Sequence, residues 1–495
     1  MTLPDPNQET LAKRESVIAG LRKIIPGEGV ISDTAELKPY ECDGLTIYRQ
    51  LPLTVVLPET TEQVSQVLAF CHAQNVRVVP RGAGTGLSGG ALPLGDAVTL
   101  SLTRMNRILD IDYENRCVTV QPGVTNLAIS QAVDHRGFLY APDPSSQIAC
   151  SIGGNVAENA GGVHCLKYGV TANNILGLEM VLMTGDILRL GGKHLDGGAY
   201  DLLGATIGSE GLLGVVTEVT VRIIPKPETA RATLIGFSSM AEAGQCVADI
   251  ISAGIIPGGM EIMDRDTIHA VEDFAHVGYP LDVEAVLIVE LDGPAAEVED
   301  LIGRVEALAQ QHNALNFRAS SNEAERIAIW AGRKAAFPAI GRIAADYICM
   351  DGTIPRGRLP EVLTRMSALS SDYNLRVANV FHAGDGNLHP LIMFDANDPD
   401  ELARAEQLGA AILTLCVEVG GVLTGEHGVG VEKRNLLGVM FSEPDMDQQQ
   451  KLKCAFDPSG LLNPGKVFPT LKSCGELNAL EARRMEERFP GVPRF

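Results

Sequence analysis

The chain has 495 residues, 45% apolar and 21% charged, the usage of a folded globular protein of two or three domains, which excludes a small peptide module and a disordered chain. Lys and Arg number 40 against 62 Asp and Glu, a net charge of −22. Nucleic acid and bare anionic lipid are therefore poor partners, and an anionic substrate would need positive charge concentrated in a pocket.

Residues 1–50 are polar with one helix expected near Glu9–Ile25, and MTLPDPNQET lacks the basic-then-apolar order of a leader. Leu53–Pro58 reads as a strand. Thr61–Gln74 reads as a helix, with Val64, Val67, Leu68 and Cys71 at helical spacing and Thr60 or Thr61 as N-cap. Strands follow at Val76–Pro80, Val98–Leu102, Ile108–Ile111 and Cys117–Val120, so 53–120 reads as βαβ and then a meander. Leu178–Thr184 and Ile187–Leu190 form a hairpin around Gly185-Asp186. Gly208–Pro225 is a loop entering a strand, and Pro225–Pro227 a boundary. Beyond it, strands at Ala232–Ile235, Val286–Leu291 and Ala314–Ala319 alternate with helices such as Ala295–Gln310, an α+β domain with antiparallel pairing. The most apolar stretch, Ala410–Leu423, is broken by Glu418 and is shorter than the roughly 20 residues that span a bilayer. Ten cysteines with no C-x-x-C pair offer no cage for zinc or an iron–sulfur cluster, and read as reduced cytosolic thiols.

Four groups carry candidate chemistry. Gly84-Thr85-Gly86-Leu87-Ser88-Gly89 fits the dinucleotide fingerprint G-x-G-x-x-G, but Pro93 and Gly95 oppose the helix that the fingerprint requires. What remains for Pro80–Gly90 is a phosphate-cradling nest, with Arg81 adding charge, or a flexible turn. Ser151–Gly162, with four glycines and two asparagines, suits close packing on a flat ring or phosphate, or a tight helix crossing. His382 and His389 bracket an Asp385-Gly386 turn that would fold them together, and Glu426-His427 follows. Two histidines and a carboxylate are a common divalent-metal set, leaving His427 for proton transfer; hydrogen-bonded loop histidines are the alternative. Arg333, with Lys334 and Arg342 near the single Trp330, suits a bidentate carboxylate fork or a solvated helix face.

PRGAGTGLSGG, SIGGNVAENAGG, KYG, GSEGLLGVVTE, HAGDGNLH, GEHGVG and GLLNPGK occur in the order found in the FAD-linked 2-hydroxy-acid dehydrogenases, and over roughly residues 15–470 the chain resembles that family. MDGTIPR, Met350–Arg356, is shared with its bacterial glycolate oxidase branch; D-lactate and D-2-hydroxyglutarate dehydrogenases are relatives. The resemblance implies a two-part FAD-binding domain of the vanillyl-alcohol-oxidase type plus an α+β cap domain with an antiparallel sheet. The implied division is 1–50 helical, 51–227 FAD-binding, 228–420 cap, 421–470 returning to the FAD domain, and 471–495 a polar tail.

By the same resemblance the FAD lies on Pro80, Arg81, Gly82, Ala83, Gly84, Thr85 and Gly86 with Ser88 nearby. Pro142, Ser151, Gly154, Gly161, Glu210 and Val215 line the rest, and Asn463 reaches back to it. The first loop carries no histidine, so FAD is expected to be noncovalent. His382, His389 and Glu426 match metal ligands for zinc, manganese or iron, His427 the base, and Arg333 the substrate-carboxylate arginine. Hydroxyglutarate-type relatives place a lysine near Cys349, so its absence points to a small substrate, glycolate or D-lactate.

The expected reaction moves the C2 hydride to flavin N5 and releases a 2-oxo acid. Electrons then pass to an outside acceptor, indirectly a quinone or another acceptor, through partner subunits with iron–sulfur clusters and a second flavin domain. The implied location is cytoplasmic, with any membrane contact peripheral on the inner membrane through partners. The competing readings are a flavin-binding electron-transfer or scaffold subunit without its own substrate, a D-2-hydroxyglutarate dehydrogenase, and a zinc hydrolase with an incidental glycine loop.

Overall fold

The computed structural model describes residues 3–194 and 199–469; the expected tail, 471–495, lies outside them. The first sheet holds β1 (Val30–Ile31), β2 (Thr54–Val56), β3 (Arg77–Arg81) and β4 (Ala97–Ser101) in the order β1-β2-β4-β3. The helix Thr61–Ala73 joins β2 to β3, with Thr60 Oγ1 accepting from the Gln63 amide as N-cap. The βαβ reading is refined in one respect: β2 and β3 are not neighbours, because β4 lies parallel between them. All five β4 residues are buried, as suits the central strand. Pro80, which lacks an N–H, sits in edge strand β3, where no ladder bond is lost.

The expected N-terminal helix is two, Gln8–Ala12 and Arg14–Ile24. At Lys13 the amide bonds to the carbonyls of both Glu9 and Thr10, a tightened turn that ends the first helix.

The second sheet is antiparallel. It contains β5 (Ile108–Asp112) and β6 (Cys117–Val120); then, beyond the short β7 (Phe138–Leu139), β8 (Ile175–Val181), β9 (Ile187–Gly191) and β10 (Val215–Arg222), in the order β5-β6-β10-β8-β9. The β8–β9 hairpin forms around Gly185-Asp186 as its sequence predicts. β7 pairs with β11 (Ile224–Pro225).

Residues beyond 228 build a seven-stranded antiparallel sheet from β12 (Thr229–Phe237), β13 (Gly259–Asp264), β14 (Ala285–Gly293), β15 (Asn316–Ala319), β16 (Asp346–Cys349), β17 (Val377–His382) and β18 (Pro390–Phe394). Its order is β15-β12-β14-β13-β17-β18-β16. Helices cover both faces. In β14, Leu287, Val289 and Leu291 enter the core under the helices 240–252, 295–311, 359–372 and 399–418, while Val286 and Ile288 enter the core under 265–275 and 323–340. That two-sided burial is why AVLIVELDG reads as a nearly continuous apolar run.

The chain then returns to the first sheet. The Val78 amide donates to the Leu461 carbonyl at 2.9 Å and the Asn463 amide to the Val78 carbonyl at 2.7 Å, so residues 461–463 cover the open side of β3. Lys453 Nζ holds this segment through Asp457 (2.6 Å), the Leu212 carbonyl (2.7 Å) and the Leu462 carbonyl (2.9 Å).

Among the described residues eight cysteines are free. The expectation of thiols throughout is corrected at Cys454, on the helix Glu443–Phe456, which is disulfide-bonded. Among the described residues no helix is long and apolar enough to cross a membrane.

Asp457→Ala should leave Lys453 buried without its counter-ion, destabilise the protein by about 3–5 kcal/mol and loosen the return segment. Thermal unfolding should show a lower Tm, together with weaker FAD retention on gel filtration.

Candidate active site

The glycine loop after β3 bends away without a following helix, as the rejection of the dinucleotide fingerprint requires. Gly84 has φ +75°, and a Cβ there would overlap the Arg81 guanidinium. Arg81 is buried beneath the loop, donating to the Cys42 carbonyl at 2.7 Å. The Gly86 carbonyl is anchored by the Gly44 amide at 2.8 Å. Among the described residues, no hydrogen bond is donated by the amides of residues 82–86, so they are left pointing for an anion.

The loop forms one wall of a cavity of about 280 Å³. Its lining includes Pro80, Arg81, Gly82, Ala83, Gly84, Thr85, Gly86, Ser151, Gly154, Glu210, Val215 and Asn463, together with His389, Glu426 and His427 from the far end of the chain. Three residues assigned to the flavin do not line it. Ser88 gives its carbonyl to the Val431 and Glu432 amides, tying the loop to the return segment. Pro142 gives its carbonyl to Asn126 Nδ2 at 3.0 Å. Gly161 stands beside Glu426, where a Cβ would lie 2.8 Å from Oε2. Within Ser151–Gly162, Ile152–Glu158 is a short helix, and its start lines the cavity.

The residues suit a large, partly anionic group. Four buried polar atoms of the lining residues have no partner: Asp43 Oδ2, Ser151 Oγ, Glu158 Oε2 and His427 Nδ1. Burial lifts the Asp43 carboxyl to about 6.

The histidine group assembles. The turn after β17 folds back, and the His382 and His389 rings meet edge to face with centroids 5.0 Å apart. Their Nε2 atoms lie 3.4 and 3.0 Å from Glu426 Oε1. His382 Nδ1 is 2.6 Å from Glu261 Oε1 and His389 Nδ1 is 3.2 Å from the Met350 carbonyl, so both rings present Nε2 to one point. Burial alone would discharge these imidazoles, but the carboxylates outweigh it. Glu261 with Glu426 holds His382 well above its ordinary value, and Cys349 with Glu426 carries His389 up to about 10. Burial would raise Glu426, yet the two histidines hold it well below the carboxylate range. A positive charge is favoured among these three side chains.

His427 stacks on His389 with centroids 5.1 Å apart and 13° between planes. Burial first, with His389 and Lys433 adding to it against the pull of Asp351, brings it down to about 4, so it is neutral near pH 7 and able to accept a proton. Arg333 does not line the cavity. It is buried, bonded through Nε to Glu261 at 2.7 Å, and its Nη2 has no partner. Lys334 and Arg342 are exposed, and Arg342 stacks on Phe274, so the solvated-face reading holds for them and not for Arg333.

Sequence reasoning missed four buried carboxylates. Asp351 receives the amides of Gly425, Glu426 and His427 and the Thr424 hydroxyl. Glu210 was expected at the flavin, but its carboxylate also takes the Val429 and Gly430 amides at 2.6 and 2.7 Å. Asp43 and Glu261 lie outside the motifs singled out, and Glu158 lies within Ser151–Gly162 but was given no role. The shared segment Met350–Arg356 was the one signal pointing toward Asp351.

Cavity, unpaired lining and convergent imidazoles define a flavin-dependent oxidoreductase. The family described as FAD binding domain matches residues 52–191, and that described as FAD linked oxidases, C-terminal domain, matches 226–467. The chain is 56% identical to glycolate oxidase subunit GlcD of Escherichia coli, over 97% of both chains. It is 41% identical to glycolate oxidase subunit GlcD of Bacillus subtilis over 87% of this chain and 92% of that one, and 33% identical to a D-lactate dehydrogenase of Anaerostipes hadrus over 91% and 97%. The chain belongs to the FAD-linked oxidase family and is an FAD-dependent hydroxy-acid oxidoreductase. Among solved structures, p-cresol methylhydroxylase (TM-score 0.78, 17% identical, 94% of this chain and 98% of that one) and the 4-ethylphenol oxidase of Gulosibacter chungangensis (TM-score 0.77, 18%, 94% and 99%) share the fold.

A Cβ at Gly82 would overlap Ser151 Oγ. Gly82→Ala should turn the Ser151 hydroxyl out of its place on the cavity wall and weaken FAD binding about tenfold, equivalent to about 1.4 kcal/mol, read by titrating the apoprotein with FAD.

Proposed function

We propose that the protein oxidises glycolate or D-lactate to the 2-oxo acid, with electrons leaving to an external acceptor. The observation that carries this is His427: a neutral, buried imidazole on the cavity wall, stacked on a histidine that shares a carboxylate with a second one. Bound FAD supplies the acceptor for the C2 hydride. A zinc, manganese or iron cation among His382, His389 and Glu426 would supply Lewis acidity toward the substrate hydroxyl; both imidazoles stand within 3.4 Å of Glu426 Oε1, and His389 and Glu426 also lie with His427 and Asp351 in a group compact enough to hold an ion. His427 takes the hydroxyl proton. Arg333 offers Nη2 to the carboxylate, and the Pro80–Gly86 loop, Ser151, Gly154, Glu210, Val215 and Asn463 hold the cofactor without a covalent bond.

A small monocarboxylate is favoured over D-2-hydroxyglutarate. Buried Cys349 stands where the hydroxyglutarate-type relatives place a lysine, so that position offers no cation to a second carboxylate. The electron-carrier reading has no use for the histidine group, and the hydrolase reading none for the unpaired loop. The division into 51–227, 228–420 and 421–470 belongs to this reading. So do partner subunits carrying iron–sulfur clusters and a second flavin domain, in the cytoplasm or peripherally at the inner membrane, since two relatives are named as oxidase subunits.

An anaerobic panel of 2-hydroxy acids followed through the flavin spectrum tests the reading. Glycolate or D-lactate should bleach the oxidised band; bleaching by no 2-hydroxy acid would favour the carrier. His427→Ala should retain FAD and lose at least the 10²–10⁴-fold that a general base contributes, about that range being usual, and normal reduction would remove it from the mechanism. A chelator should slow reduction; unchanged kinetics in metal-free protein would mean the histidine pair holds substrate directly.

A further inference from the structure

The cap sheet buries a carboxylate among apolar neighbours. In β13, Met260 and Ile262 enter one core and Met263 the other; by alternation Glu261 shares the Met263 face, toward the helix Glu323–Ile340. It is 0% exposed. An ionised carboxylate at that depth is costly unless paired and hydrogen-bonded, and Glu261 uses both oxygens. Oε2 accepts from Arg333 Nε at 2.7 Å and Oε1 lies 2.6 Å from His382 Nδ1. The partners come from different elements: His382 is its cross-strand neighbour on β17, and Arg333 descends from the helix.

We propose that Glu261 is a positioning residue that fixes the guanidinium for the substrate carboxylate and the imidazole for the cation at a set separation, so that one side chain spaces the two ends of a 2-hydroxy acid. The inference rests on the roles given above to Arg333 and His382. Two features support it. Arg333 Nη2 is buried without a partner, so the Nε bond aims the fork and leaves an arm for an anion. With Nδ1 on Glu261, His382 presents Nε2 toward Glu426, and a carboxylate behind a ligating imidazole fixes its tautomer and raises its basicity. Charge completes the argument. Glu261 and Glu426 are two buried negatives; Arg333, a dication and one substrate carboxylate balance them only when all are in place.

The test compares the FAD-loaded wild type with Glu261→Gln and Glu261→Asp, reading flavin content, bound metal under chelator competition, and KM separately from kcat for glycolate and D-lactate. Glu261→Gln should keep FAD, bind the cation about 10- to 100-fold more weakly, and raise KM about tenfold with cation saturating, a change of about 1.4 kcal/mol. Glu261→Asp keeps the charge but not the reach, and should recover at most one of the two losses. Full recovery in Glu261→Asp, or unchanged metal affinity and KM in Glu261→Gln, would overturn the proposal. Should Glu261→Gln fail to fold, Arg333→Gln removes one arm alone: KM should rise with cation affinity kept, and loss of both would refute separate arms. A wild type that binds no cation or is reduced by no hydroxy acid would instead defeat the underlying reading.

Discussion

The site depends on a single buried carboxylate, Asp351, just after β16. It gathers three successive amides, Gly425, Glu426 and His427, and the Thr424 hydroxyl. Four donors on one acid fix the turn that places Glu426 and His427, and the buried Lys433 ammonium stands 3.7 Å from it. Three residues on, Glu210 repeats the device from the other side by receiving the Val429 and Gly430 amides. The segment 424–430 is therefore clamped between an acid from the cap sheet and one from the loop before β10. Cofactor wall and imidazole cluster cannot shift independently, because backbone donors of one short turn are committed to both.

A chain of net charge −22 also buries cations among its acids. Its surface charge is set apart from a buried lattice in which Lys433, Lys466, Arg81 and Arg333 stand among Asp43, Glu158, Glu210, Glu261, Asp351 and Glu426. Near Lys466, burial lowers the ammonium to about 8, so that lysine sits close to losing its proton. Such a lattice is a poor source of stability by itself, since desolvation consumes most of the Coulombic gain, but it orients the side chains that it pairs.

What the sequence disclosed follows the range of the interactions. The Thr61–Ala73 helix, its Thr60 cap and the β8–β9 hairpin depend on residues a few positions apart, and each was legible. The turn bringing His382 to His389 was legible too, because Asp385-Gly386 is a local signal. The order β1-β2-β4-β3 was not: β4 enters between two earlier strands, and nothing local says so. Arg333 was conspicuous by type, whereas its partner Glu261 stands 72 positions away in a strand whose alternation predicts an apolar side chain. Asp351 was hidden likewise, since an acid satisfied by distant amides leaves no periodic mark, and Asp43 and Glu158, each with a buried oxygen that has no partner, leave none either. Gly161 was placed at the flavin by analogy, but its lack of a side chain makes room for Glu426.

Residues 461–463 lie along β3, though nearly four hundred positions separate the two in the chain. During synthesis, then, the nucleotide-holding half is incomplete until residues 461–463 have been made. The barrier to premature loading is topological: a nascent chain with its cap finished still has an uncovered edge at Val78, and the segment that covers it follows the cap.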